Sequence, residues 1–205
     1  MTHYLLLLKK GPSWEAGTSA AIRSQQRAHL LHLSMLAADK HVLIAGAIPG
    51  DDDLRGVAIL DAATLDAARA IEAEDPAVKG GRLVADILPI TVAGNWFAFA
   101  AMTSDQPLRQ YGMALLTDPP GSSRPDNLVS APPHLEALWR ARESGELLLS
   151  GVIGGGGPLR GLRVYVADDL GAASALAQEE AAIHPAFGVE IHPWLAADGI
   201  LSIVK

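Results

Sequence analysis

His29 falls in a stretch with helical apolar spacing, and Asp75 stands just before Pro76, at the end of a second such stretch. An imidazole with a carboxylate in hydrogen-bond reach is an acid–base pair: the carboxylate fixes the ring tautomer, and the ring moves a proton near neutral pH. The same residues also have plain structural uses. Asp75 can cap a turn ahead of Pro76 and His29 can be a partly exposed helical residue, and the sequence leaves both readings open. His29 and His32 lie three apart and share a helix face, which is ligand spacing. Only His3 and His41 could add a third imidazole, no spacing supports either, and no metal is expected. The chain has no cysteine, which excludes disulfides, thiolate nucleophiles and Cys-held zinc or iron–sulfur clusters. No Gly-x-Ser-x-Gly segment supports a serine nucleophile. Gly154 to Gly157 lacks the Gly-Lys-Ser/Thr of a phosphate loop and is expected to be a flexible hairpin. Arg55 and Arg160 each precede a hairpin glycine, where a guanidinium can face a cavity and hold an anionic substrate or lie on its rim.

These residues recur in a pattern. A shift of 105 places lays His29-Leu30 on His134-Leu135, Gly46 on Gly151 and Leu54-Arg55-Gly56 on Leu159-Arg160-Gly161, with 16 identities in the 47 pairs from position 29 to position 75. The chain is therefore expected to be a tandem duplication, with a first unit at 1–92, a connector at 93–108 and a second unit at 109–205. In the first unit, Tyr4 to Lys9 reads as a strand and Ala20 to Asp39 as a helix with Ile22, Leu30, Leu33 and Leu36/Ala37 on one face. Val42 to Ala47 and Leu54 to Leu60 read as a hairpin, Thr64 caps a second helix ended by Asp75-Pro76, and Leu83 to Leu88 closes the unit. The order βαββαβ is that of a ferredoxin-like unit. Each such unit leaves one apolar sheet face bare. The expected fold class is α+β, two tandem ferredoxin-like βαββαβ units whose sheets pack face to face as an intramolecular dimeric α+β barrel. In the second unit Gly145 takes the helix-end position of Lys40, and Glu180-Ala181 stands where the first has Asp75-Pro76. Trp96, Phe97 and Phe99 in the connector are expected to pack across the barrel or at a subunit interface.

Arg27-x-His29-Leu30, Leu43-x-Ala45-Gly46, Leu54-Arg55-Gly56 and Asp75-Pro76-Ala77-Val78-x-x-Gly81, partly repeated as His134-Leu135, Leu149-Ser150-Gly151 and Leu159-Arg160-Gly161, resemble the YCII-related family. The resemblance implies a barrel that is homodimeric in single-copy members, and a His/Asp site that falls here on His29 and Asp75. It also implies small-molecule chemistry of the dehydrochlorinase, lyase or isomerase kind. Arg27, Arg55, His134 and Arg160 are then the candidates for binding substrate.

Hydrophobic residues form 49% of the chain and charged residues 19%, so a core can be buried. A net charge of −7 with no basic run beyond Lys9-Lys10 argues against nucleic acid or an anionic membrane as partner. No stretch reads as a signal peptide or a membrane span, and the expected location is cytoplasmic. The Ala-, Leu-, Gly- and Pro-rich composition has a bacterial flavour. No motif implies a cofactor, and a homodimer beyond the internal pseudo-dimer stays open. Two function classes follow: an enzyme with His29 as acid–base and Asp75 orienting it, or a non-catalytic barrel that binds a small ligand or serves in assembly.

Overall fold

The computed structural model of the chain describes residues 2–50, 53–92, 97–99, 106–118, 132–166, 169–183 and 187–203. The first half carries β1 (Thr2–Lys10), α1 (Ala20–Ala38), β2 (Val42–Ala47), β3 (Leu54–Leu60), α2 (Leu65–Glu72), α3 (Pro76–Lys79) and β4 (Leu83–Val92). After β5 (Phe97–Phe99) come β6 (Leu108–Thr117), α4 (Pro132–Glu143), β7 (Leu147–Ile153), β8 (Leu159–Tyr165), α5 (Leu170–Ile183), β9 (Gly188–Ala197) and β10 (Leu201–Ile203). Strand β10 pairs antiparallel with β5 in a separate two-stranded sheet. Trp96 lies outside the described residues, as do the side chains of Phe97 and Phe99.

The expected pair of ferredoxin-like sheets packed face to face is not what forms. All eight long strands join in one closed antiparallel barrel, in the order β1-β3-β2-β9-β6-β8-β7-β4. Two four-stranded sheets would leave four edges with unpaired N–H and C=O groups. Closure removes them at two seams: Gly46 and Ala47 of β2 pair with Ala196 and Leu195 of β9, and Ile90 to Val92 of β4 pair with Ile153 to Gly151 of β7. The bare apolar faces are covered because they become the barrel's inside.

Glycines recur at both seams because side chains cross there. A Cβ on Gly46 would sit 2.6 Å from the Leu195 carbonyl oxygen and from Cε2 of the fully buried Trp194. A Cβ on Gly151 would lie 2.8 Å from Ile90 Cγ1. Trp194 is further anchored by its indole N–H, which donates to the Val57 carbonyl at 3.4 Å across the seam.

Strand β1 shows why a run of four leucines suits this wall. Leu6 and Leu8 pack with Ala58, Leu60, Ala68 of α2 and Ala77 of α3, on the helix side. Leu5 and Leu7 point the other way, into the cluster with Val57, Ile59, Ile90 and Trp194. A strand buried on both faces needs no polar alternation.

Helix α1 starts where the Ser19 hydroxyl accepts from the Ile22 N–H, and it ends ahead of Lys40, whose φ is +62°. Gly145, at the end of α4, has φ +82° at the corresponding place. The inward face of α1 differs from the expected one. Leu33, Leu36 and Ala37 do pack inward, but Leu30 is half exposed, and the buried residue one turn before Leu33 is His29. Positions 29, 33, 36 and 37 form the stripe, so a histidine occupies a place that the apolar pattern reserves for a core residue.

Candidate active site

Three short elements bring the site together under α1. Thr64 starts α2, its hydroxyl accepting from the Ala67 N–H at 3.1 Å. The helix stops at Glu72, and the chain turns through Asp75 into α3, with Pro76 in its first turn. Asp75 is the N-cap of α3: its Oδ1 accepts from the Ala77 N–H at 2.7 Å. Its Oδ2 lies 2.5 Å from His29 Nδ1. The Asp75 side chain has no exposed surface and that of His29 is 8% exposed. Gln25, one turn earlier on α1, donates from Nε2 to the Pro76 carbonyl at 3.5 Å and ties α1 to α3.

Burial alone would raise the Asp75 carboxyl. The hydrogen bond to His29, the His29 charge, the Ala77 N–H and the nearby His32 outweigh it and hold the group below the ordinary carboxylate range. An ionised carboxylate can only accept, so His29 Nδ1 carries a hydrogen, and in the neutral ring Nε2 then holds the lone pair.

Glu72 is a member of the site that the sequence reading missed. It is 1% exposed, and neither of its oxygens has a hydrogen-bond partner. Burial, and after it the charge of Asp75, push its carboxyl up to about 8. Two neighbouring carboxyls thus stand in opposite states at neutral pH, Asp75 ionised and Glu72 protonated, the divergence that marks acid–base sites. A signal for Glu72 was present: the 105-residue shift sets it opposite Ala177, which is fully buried, so an acid occupies an alanine's place in the core.

The arginines expected to bind substrate lie elsewhere. Arg27 is exposed, since two residues along a helix turn a side chain to nearly the opposite face. Arg55 lies with its guanidinium 5.0 Å from the Trp14 ring and donates to the Gly50 carbonyl. Arg160 Nε donates to Asp118 Oδ2 at 2.6 Å, in the wall of the barrel. His134 belongs to α4, and its side chain lies outside the described residues. His32 stays near the pair, half-buried, its Nε2 without a hydrogen-bond partner. His3 and His41 both turn to Asp61. Among the described residues no group of three or more His, Asp or Glu side chains could hold a metal ion.

A cavity of about 1030 Å³ opens at one end of the barrel, and neither His29 nor Asp75 lines it. The chemistry-bearing pair sits outside the barrel wall, in the helix layer. Among the described residues no helix is long and apolar enough to cross a membrane.

Residues 2–91 match the model of the YCII-related domain. No curated protein matches the sequence. Several solved structures share the fold over the whole chain. A candidate chlorite dismutase has a TM-score of 0.60 at 12% identity, with 100% of this chain and 95% of that chain covered. A candidate monooxygenase from Fusobacterium nucleatum subsp. nucleatum has a TM-score of 0.57 at 11% identity, covering 100% and 97%. One from Lactobacillus acidophilus has a TM-score of 0.56 at 8% identity, covering 100% and 99%. At such identities the likeness is one of fold alone.

Proposed function

We propose, on the match of residues 2–91 to the YCII-related domain, that the chain is a small-molecule enzyme of the proton-transfer kind, an eliminating lyase or an isomerase. His29 is its acid–base and Asp75 the group that orients it. The observation that carries the reading is the double fixation of Asp75, capping α3 through one oxygen and holding His29 Nδ1 through the other. A ring locked in this way offers one basic atom, Nε2, in one direction, which is what removal of a proton from carbon requires. Once that proton has been taken, the imidazolium is stabilised by the ionised Asp75, and the same ring returns the proton to a neighbouring atom of the substrate or releases it to water. Glu72 stays protonated beneath the pair and adds no second negative charge beside Asp75.

The test follows the proton rather than a product. Small carbonyl compounds and chlorinated hydrocarbons are incubated with the protein in deuterium oxide, and deuterium uptake at carbon is followed by NMR. The wild type is expected to exchange at least one class of carbon acid, and His29→Ala to lower that rate by roughly 100- to 10,000-fold with the fold intact. Exchange at the wild-type rate by folded His29→Ala would end the acid–base reading.

A further inference from the structure

Helix α1 buries the face that carries His29 and leaves the opposite one apolar. Of the six large apolar side chains that stand exposed among the described residues, three are on this helix: Leu30, Leu31 and Met35, at 51%, 62% and 60%. The barrel does not require them there. A shift of 105 places sets Leu31 opposite Glu136 and Met35 opposite Arg140, both exposed on α4, so the corresponding helix is charged at those two places. A cluster of exposed apolar side chains marks a contact surface. The long strands offer no such surface at their edges, because all eight pair within the closed barrel, and a contact between chains falls to the helix layer.

Charge and spacing say what fits this face. Arg27, Leu31, Met35 and Asp39 follow one another at intervals of four along one ridge, all exposed, and neither Arg27 nor Asp39 is in an ion pair among the described residues. The ridge is its own complement when reversed. In an antiparallel pair of such helices about a two-fold axis, Arg27 of each copy meets Asp39 of the other, and Leu31 of each meets Met35 of the other. The neighbouring ridge carries Ser34 and Ala38, whose small side chains leave a groove beside it. The Ser34 hydroxyl already donates to the Leu30 carbonyl at 2.9 Å, so covering it strands no donor. We propose that this face of α1 is an interface with a second copy of the chain, the two helices crossing ridge into groove at about 50°. The patch is small, so the dimer is weak, with a dissociation constant of roughly 10 to 500 µM. The inference does not depend on the proton-transfer reading.

Sedimentation equilibrium on the full chain, from roughly 10 µM to 1 mM, measures the association. Wild type is expected to dimerise within that range, and Leu31→Glu to stay monomeric throughout, because a charge would be buried twice at the centre of the contact. All the altered side chains are exposed, so every variant should unfold thermally close to the wild type in dilute solution. Arg27→Glu and Asp39→Arg, made singly, set like charges against each other twice per dimer, and each should weaken it by about tenfold or more. The double variant Arg27→Glu/Asp39→Arg restores the opposite pairs and should return to within about threefold of the wild type. A chain that stays monomeric to about 1 mM would leave the face to some other protein and overturns the proposal. A dimer untouched by Leu31→Glu, as one built on the exposed Trp139 of α4 would be, overturns it as well. So does a double variant no stronger than the two single ones.

Discussion

Replacing Glu72 by glutamine should shift the stability balance toward the variant as pH rises from 4.5 to 8. In the unfolded chain this carboxyl ionises near its ordinary value of 4.5, whereas in the folded protein burial, and then the Asp75 charge, delay ionisation to about 8. Between those values the native state holds one proton more than the unfolded chain, so stability falls as pH rises, by about 1.4 kcal/mol per unit. At pH 7 the accumulated loss is about 3 kcal/mol, and above pH 8 it stops growing. Glutamine has nearly the same shape and no such titration. Below pH 4.5 the wild type and Glu72→Gln should differ by a constant set by how the two neutral groups pack. From there to pH 7 the balance should move about 3 kcal/mol toward the variant, which for a chain of this size is roughly 6 to 12 °C in Tm. Urea unfolding of both proteins at half-unit steps from pH 4 to 9 measures this directly. A difference that stays flat across the range would mean that Glu72 ionises in the folded state as it does in water, and the desolvation argument would be wrong.

Three further outcomes are expected. Asp75→Ala removes the α3 cap and leaves His29 Nδ1 without its acceptor, and should cost roughly 2–4 kcal/mol at pH 7 by denaturant unfolding. Because the folded Asp75 carboxyl is held low, wild type should keep this contribution above the unfolded value of 3.8 and lose it as pH falls through the lower folded value, so the gap between the two proteins should narrow on acidification. Gly46→Ala drives a methyl group against Trp194 and the Leu195 carbonyl at the seam between β2 and β9 and should cost about 1–3 kcal/mol, whereas Gly50→Ala, in a loop with open space, should show only the smaller cost of its positive φ.

The strands and helices of the first half were legible because their signals are local: a leucine run, a threonine cap, an aspartate before proline. Barrel closure was not, because the seams join β2 to β9 and β4 to β7 across more than 50 positions of sequence, and nothing in the edge strands announces a partner. The repeated Gly46 and Gly151 could be seen, but the reason for them, Trp194 and Ile90 crossing the seams, needed the partner strands in place. The pairing of His29 with Asp75 is legible in their residue types and in Pro76, whereas the apolar spacing points to Leu30 for the inward place that His29 holds. The second half misled more, because its helix is longer. The 105-place shift sets Glu180-Ala181 opposite Asp75-Pro76, yet α5 runs unbroken from Leu170 to Ile183, against α2 from Leu65 to Glu72. A fixed shift fails once the helix lengths differ, and in sequence the better match to Asp75-Pro76-Ala77 is His184-Pro185-Ala186, which lies outside the described residues.

The capping and the orienting use of Asp75 are a single arrangement rather than rivals, and one substitution separates them. The carboxylate spends Oδ1 on the Ala77 N–H and Oδ2 on His29 Nδ1. Asparagine keeps an oxygen for Ala77, so the start of α3 and the fold should survive, but it then turns an NH₂ toward Nδ1. A donor there is accommodated only if Nδ1 gives up its hydrogen, which moves to Nε2, the atom that must accept the substrate's proton. Asp75→Asn should therefore unfold within a few degrees of the wild type and yet lose deuterium exchange nearly as far as His29→Ala, roughly 100- to 10,000-fold. Asp75→Ala should lose both stability and exchange. If Asp75→Asn instead exchanges at the wild-type rate, the carboxylate sets no tautomer, and its place in the structure is that of a helix cap alone.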